Sequence, residues 1–455
     1  MNLDIRIDVS RARGAAVGRE HGITRAELEH LQPRVSDAHA ILQRERAEGA
    51  YGFWDLYKQS GVFNDVKAAA ARFAQKGYDN FVVLGIGGSS LGTIALGAAL
   101  LSPYHNLLSK RARKGVPRLF VMDNIDPTVF REMMRICPPK KTLYNVISKS
   151  GGTAETMSQL MIVVDAIEKK LGRDAMKDHV VVTTNPRRPD APPSLLHPVA
   201  DEYGLTEFAV PLNVGGRFSV FSPVGMFPAA MLGMDLDAMR DGCAAMDRRC
   251  ADADLKSNPA YLRAAIQYLA DVNKGKTISV MLAYANGLYS IADWYRQLWA
   301  ESLGKRYSLD GKEVFAGQTP VKALGATDQH SQIQLYREGP NDKLINTLET
   351  RKFARTLRIP PTLTSIAQLG YLRGASMNKL MAAELHGTID ALKLSQRPVS
   401  RIILPQINAH TIAQVLYLLE VETAMAGRLY NVNTFDQPGV EEGKKIARKL
   451  MGGEG

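Results

Sequence analysis

From residue 80 to residue 185 the chain alternates short apolar runs with longer stretches of helical spacing. The runs are FVVLGIGG (81–88), RLFVMDN (118–124), LYNVISKS (143–150) and HVVVTTN (179–185). Each is too short for a helix and rich in Val, Ile, Leu or Phe, which marks buried strands. The segments between them are long enough for crossover helices. The clearest begins at Thr153, with Met157, Leu160, Met161, Val164, Ile167 and Leu171 at helical spacing and Gly172 as the stop. Strand, helix, strand in that order predicts a doubly wound parallel sheet.

A proline-rich connection follows, NPRRPDAPPSLLHP (185–198), and then FAVPLNVGGRFSVFSPVG (208–225), which reads as a strand and a tight glycine turn. A second set opens near residue 277. TISVMLAY (277–284) and SRIILPQI (400–407) read as strands, GLYSIADWYRQLWAESLG (287–304) and AHTIAQVLYLLEVETAMAGRLY (409–430) as helices. The expectation is an α/β fold of two doubly wound domains, each a parallel-rich sheet flanked by helices, with a C-terminal helical tail. Residues 50–230 form the smaller domain, residues 1–49 and 231–430 the larger, and 431–455 the C-terminal segment.

Composition narrows the class. The chain has 455 residues, 45% apolar and 23% charged, which suits a soluble protein of two or three domains. Its start, MNLDIRIDVSRARG, has no continuous apolar stretch of the kind a secretory signal needs. The uncharged run from Phe218 to Met234 holds Pro223, Gly225, Pro228 and Gly233, too broken for a membrane span. Cys137, Cys243 and Cys250 have no histidine cluster beside them and read as buried apolar residues in a reducing compartment. A cytoplasmic location follows. The formal charge of +11 favours anionic partners. The basic residues are spread out, however, and the densest piece, KRARKG (110–115), reads as a solvated turn. No nucleic-acid reader motif is present.

Two strand-to-loop junctions carry candidate chemistry, GIGGSSLG (85–92) and SKSGGTAET (148–156). In a parallel sheet both loops emerge at the carboxyl edge, where ligands bind. Glycines let backbone N–H groups approach an anion, and the helix behind adds partial positive charge. The first loop falls short of a dinucleotide fingerprint: Gly85 and Gly87 fit, Asp123 could stand for the ribose-binding acid, but the sixth position is Ser90. Neither loop holds a P-loop. In the second, the hydroxyls of Ser148, Ser150, Thr153 and Thr156 outnumber cationic groups, and no acidic cluster points to magnesium. That donor set suits one phosphate monoester.

Six motifs then appear in order: GIGGSSLG, SKSGGTAET, VGGRFSVFSPVG (214–225), LWAESLGK (298–305), GATDQHSQ (325–332) and FDQPGVEEGK (435–444). Together they resemble the phosphoglucose isomerase family in its bacterial type. The first two also look like the phosphate loops of sugar-isomerase (SIS) domains. The resemblance implies interconversion of glucose 6-phosphate and fructose 6-phosphate without metal or organic cofactor, by ring opening and proton transfer between C2 and C1 through a cis-enediolate. It also implies a homodimer. By its pattern Glu301 is the base, Arg217 stabilises the enediolate, and His330 and Lys444 serve ring opening, His330 reaching the neighbouring subunit's site. Gln437 binds substrate and intermediate, Gly88 and Ser89 contact the sugar, and Lys149 lies beside the phosphate. Trp294, Leu298 and Trp299 precede Glu301, so burial is expected to raise its pKa. Gly215 and Gly216 before Arg217 favour close approach to a ligand. The proline-rich RRPDAPPS (187–194) has no place in the pattern and reads as a loop particular to this lineage. The competing interpretation is a regulator that binds sugar phosphates through SIS loops without chemistry; such a protein would not need Arg217, Glu301, His330, Gln437 and Lys444 together.

Overall fold

The structure, a computed structural model, describes residues 3–452. The ends of the expected N-terminal and C-terminal segments (residues 1–2 and 453–455) lie outside the described residues. In chain order the strands are Arg6–Asp8 (β1), Asn80–Leu84 (β2), Arg118–Met122 (β3), Thr142–Ile147 (β4), Val180–Thr184 (β5), Thr206–Ala209 (β6), Ile278–Ala283 (β7), Lys305–Tyr307 (β8), Glu313–Ala316 (β9), Thr319–Leu324 (β10), Lys343–Lys352 (β11) and Val399–Gln406 (β12). They build two five-stranded sheets and a β8–β9 hairpin.

The first sheet has the order β3-β2-β4-β5-β6 and is parallel throughout. The second has the order β10-β7-β11-β12-β1 and is parallel except for β1, which runs against β12. In each sheet the chain first builds to one side of a strand and then resumes on its other side. The switch points therefore fall between β2 and β4 and between β7 and β11.

Burial on both faces explains the unbroken apolar runs. Along β2, Phe81 and Val83 enter the central core, while Val82 and Leu84 face the opposite way and pack with Leu160, Val163 and Ile167. Along β7, Met281 and Ala283 join that same central core, and Val280 and Leu282 pack with Leu385, Ile389 and Leu392. The two sheets thus back onto one shared helical layer. Helix Ala409–Tyr430 is buried along almost its whole length within it. The uncharged run from Phe218 becomes the buried helix Pro223–Met231 in the same layer.

Most expected elements stand within two residues of their reading, and Gly172 ends helix Ala154–Leu171. The three cysteines are free and buried. Among the described residues no helix is long and apolar enough to cross a membrane. No apolar run announces β11, the ten-residue centre of the second sheet. Its pattern is masked by Asn346, Thr347 and Glu349, all buried. Neighbouring elements satisfy two of them: Arg263 donates to Asn346 Oδ1 and Arg401 donates to Glu349 Oε1. Polar side chains with partners can occupy a core, and hydrophobic periodicity does not see them.

Candidate active site

Loops 85–90 and 148–153 leave β2 and β4, neighbours across the first switch point. Ser148 is buried, with its Oγ 3.0 Å from Thr153 Oγ1. Ser150 Oγ accepts the Gly152 N–H. Thr153 is the N-cap of helix Ala154–Leu171, yet its side chain makes no capping bond. The first-turn N–H groups are left without that acceptor, an arrangement that favours an anion. Thr156 lies within the first turn; its Oγ1 is buried and has no partner among the described residues.

The proline-rich connection underlies this loop. Gly151 has φ +67°, and a Cβ there would meet Ser194 Oγ and Leu195 N at 2.6 Å. The Leu195 N–H donates to the Ser150 carbonyl, and Thr184 Oγ1, which bonds Ser194 Oγ at 2.5 Å, also donates to the Ser148 carbonyl. A stretch with no place in the motif pattern is the bed on which the loop rests.

Lys149 stands between Ser148 and Ser150 in the hydroxyl loop. Its Nζ donates to the carbonyls of Leu212 (2.7 Å) and Val214 (2.9 Å), and burial pushes its pKa down. It ties the hydroxyl loop to the segment that carries Arg217. A second tie is steric: a Cβ on Gly88 would lie 2.2 Å from the Gly216 carbonyl carbon and 2.7 Å from Arg217 N. These two backbones touch, and only glycine fits.

Arg217 is buried and saturated. Its Nε donates to Ser302 Oγ at 2.7 Å, and its Nη1 to Glu301 Oε2 at 3.3 Å and Gln437 Oε1 at 3.1 Å. Its Nη2 donates to the carbonyls of Thr434 and Asp436. Those bonds occupy the whole guanidinium fork. Burial pushes its pKa below the usual arginine value, against the pull of Glu301. An arginine remains charged even so. Lys305 completes the frame, donating to the carbonyls of Glu301 and Asp436, each at 2.7 Å. Phe435 is held from the other side, stacked on Tyr51 at 3.6 Å and packed near Phe53 and Phe218.

Glu301 projects from helix Asn286–Leu303 with its side chain 27% exposed. Besides Arg217, it accepts from Gln297 Nε2 at 3.3 Å. Gln297 was missed by sequence reasoning. It stands one helical turn before Glu301, its Oε1 is buried without a partner among the described residues, and its Nε2 would lie 3.0 Å from a Cβ on Gly87. The available signal was its spacing, a polar residue at i−4 on the face that presents Glu301.

Two expected members stand apart. His330 is exposed on the turn Thr327–His330, and its side chain makes no hydrogen bond among the described residues. The turn itself is firmly tied. Gln329 Nε2 donates to Tyr284 Oη and Thr388 Oγ1 at 2.7 Å, and Asp328 accepts from Leu324 N and Ser331 Oγ. Lys444 is the second. It lies on helix Glu441–Leu450, which buries no residue, and its Nζ bonds Glu441 at 2.8 Å, not the groups around Arg217.

The comparisons agree with one another. The family model described as phosphoglucose isomerase matches residues 62–453. The chain is 43% identical over 431 residues to a glucose-6-phosphate isomerase of Carboxydothermus hydrogenoformans, covering 94% of this chain and 91% of that one. It is 40% identical over 440 residues to a glucose-6-phosphate isomerase of Rubrobacter xylanophilus, covering 96% of each. Among solved structures, a hypothetical protein of Thermus thermophilus superposes with a TM-score of 0.85 at 32% identity, over 99% of this chain and 100% of that one. A glucose-6-phosphate isomerase of Chlamydia trachomatis shares the fold, with a TM-score of 0.72 at 23% identity over 86% of this chain and 73% of that one.

Proposed function

This chain belongs to the phosphoglucose isomerase family and interconverts glucose 6-phosphate and fructose 6-phosphate, and we propose that it does so with the residues gathered around Arg217. The observation that carries this assignment is the Glu301 carboxylate, 3.3 Å from a buried, fully bonded guanidinium.

The substrate phosphate is held by the hydroxyls of Ser148, Ser150, Thr153 and Thr156 at the open helix N-terminus. Gly88 and Ser89 flank the sugar. Anchoring the phosphate places C1 and C2 against Glu301. Glu301 takes the C2 proton and returns it to C1. Negative charge then develops on the enediolate oxygens, and Arg217 is a fixed cation beside it, oriented before reaction begins. Once Glu301 is protonated its hold on Nη1 weakens, and that N–H becomes available to the enediolate. Gln437, on the same Nη1, binds the substrate and intermediate at that point. Lys149 acts through the loops it ties and not on the phosphate.

Ring opening falls to His330 and Lys444. An exposed histidine on a tied-down turn, with no side-chain hydrogen bond among the described residues of its own chain, supports a homodimer in which His330 enters the neighbouring site. Exposed Leu357, Leu363, Ile366 and Tyr371 after β11 support a second copy on that side. Lys444 reaches the sugar when helix Glu441–Leu450 docks, a step favoured by exposed Ile446, Leu450 and Met451. Residues 50–230 then form the unit that grips the phosphate, residues 1–49 and 231–430 the unit that supplies Glu301, and 431–455 the segment crossing back to Arg217. Three unpaired buried thiols support a reducing, cytoplasmic setting.

Replacement Glu301→Gln tests the assignment. Release of the C2 deuteron from 2-deuterated glucose 6-phosphate should fall by about a thousandfold while the substrate still binds. Release at the wild-type rate would place the base elsewhere.

A further inference from the structure

The second sheet repeats the strand order of the first, β10-β7-β11-β12-β1 against β3-β2-β4-β5-β6. Its switch point, between β7 and β11, is the counterpart of the position where the phosphate loops lie. A cleft of about 330 Å³ opens beside it, between helix Met377–Leu394 and the stretch of sheet formed by the carboxyl-terminal half of β11 with β12 and β1. Tyr284, which directly follows β7, forms one wall. Arg6 from β1, Arg351 from the end of β11, Arg401 from β12 and His386 from the helix form much of the rest.

The cleft carries more positive than negative charge. Among the described residues that line it the only carboxylate is Glu349, already bonded to Arg401 at 2.6 Å. Asp8, outside the lining, is shared between Arg6 at 3.4 Å and Arg401 at 3.9 Å, which leaves three arginines against two carboxylates. Arg401 keeps a buried Nε with no partner among the described residues. Arg351 is exposed, with neither a hydrogen bond nor an ion pair among them. Arg6 is half-exposed and meets only Asp8, at 3.4 Å. A concave site with surplus guanidinium groups favours an anion, and three arginines around one small space suit the fork geometry that phosphate oxygens accept. The volume is at the small end for ligand pockets and fits a sugar phosphate or glycerol phosphate, not a nucleotide.

We propose that this cleft is a second ligand site of the chain, binding a small organic anion of the phosphate-monoester class through Arg6, Arg351 and Arg401. The proposal is independent of the chemistry assigned to Arg217. The site adjoins the active-site machinery through Tyr284, whose Oη accepts the Gln329 side chain one residue before His330.

The test counts ligands. Equilibrium dialysis with glycerol 1-phosphate should find two bound per wild-type chain. Ser148→Ala with Thr153→Val should leave one, Arg6→Glu with Arg351→Glu should leave the other, and the fourfold variant should bind none. Both arginines are solvent-facing, so the reversed-charge variant should melt as the wild type does, and its kcat/KM for fructose 6-phosphate should stay within twofold. A single ligand per chain that the hydroxyl-loop variant removes would overturn the proposal. So would a second ligand indifferent to Arg6 and Arg351, or a cleft closed to ligand between two copies of the chain.

Discussion

The carboxyl edges of the two sheets share a strand order and differ in everything that follows the strands. At the first edge, β2 and β4 run into short glycine loops, and helix Ala154–Leu171 begins directly after the hydroxyls. At the second, β7 runs almost at once into helix Asn286–Leu303, and β11 into residues 353–376, which expose Leu357, Leu363 and Tyr371. The sheet order fixes where a site can be; the loops decide what it does. In the proposed reading the first edge holds the substrate phosphate, and the second sends out a helix that brings Gln297 and Glu301 to the first. Arg217 stands at the junction. Lys149 and Gly88 secure its segment from the first side, and Ser302, Thr434 and Asp436 bond its guanidinium from the second.

If this division of labour holds, damage at the junction should cost more rate than damage at either edge. Arg217→Lys keeps the charge but loses the fork, and kcat should fall about a hundredfold or more with a much smaller change in KM; steady-state rates in both directions check this. Ser148→Ala with Thr153→Val should raise KM for fructose 6-phosphate by at least about tenfold, since hydrogen bonds to a charged group are each worth about 1.5–3 kcal/mol, while barely affecting turnover of unphosphorylated fructose. Equal losses on both sugars would erase the distinction between grip and chemistry. Lys149→Met should lower kcat about fivefold to tenfold and leave the dissociation constant of inorganic phosphate within twofold, with Lys149→Arg recovering part of the rate. Weaker phosphate binding with unchanged kcat would return Lys149 to the phosphate.

The smallest effect belongs to the layer that both edges share. Glu420, on helix Ala409–Tyr430, is fully buried with neither oxygen bonded among the described residues, and burial raises its pKa well above 4.5. A carboxyl raised in the folded state contributes stability that is complete below the unfolded pKa and is lost as pH rises through the folded one. Thermal melts of Glu420→Gln should match the wild type near pH 4 and exceed it by a few degrees near pH 9. Glu422, two residues on, is paired with Arg263 at 2.6 Å, so Glu422→Gln should destabilise instead.

How much of this was legible in the sequence depended on what kind of partner each residue has. Arg217 and Glu301 could be read because they sit in fixed motifs, and the structure brings them into contact. The α/β class followed from apolar runs that need burial on both faces. The tether that Lys149 makes was not legible because its acceptors are the carbonyls of Leu212 and Val214, and a carbonyl leaves no trace in residue identity. Gln297 was silent until the helix turned it onto Glu301. The strand β11 was hidden by polar residues whose partners, Arg263 and Arg401, lie far along the chain. Lys444 matched its motif, but a motif does not say whether its helix is docked.

The pairing of β1 with β12 sets an order of assembly during synthesis. Arg6 lies opposite Ile403, so the segment that leaves the ribosome early must wait for nearly the whole chain before its strand has a neighbour. The first sheet, complete by Ala209, faces no such delay. The sheet that carries the hydroxyl loop is thus made first, and β1 stays without its neighbour until the last sheet strand is made. Where synthesis stalls after residue 210, what remains is the hydroxyl loop without Arg217 or Glu301.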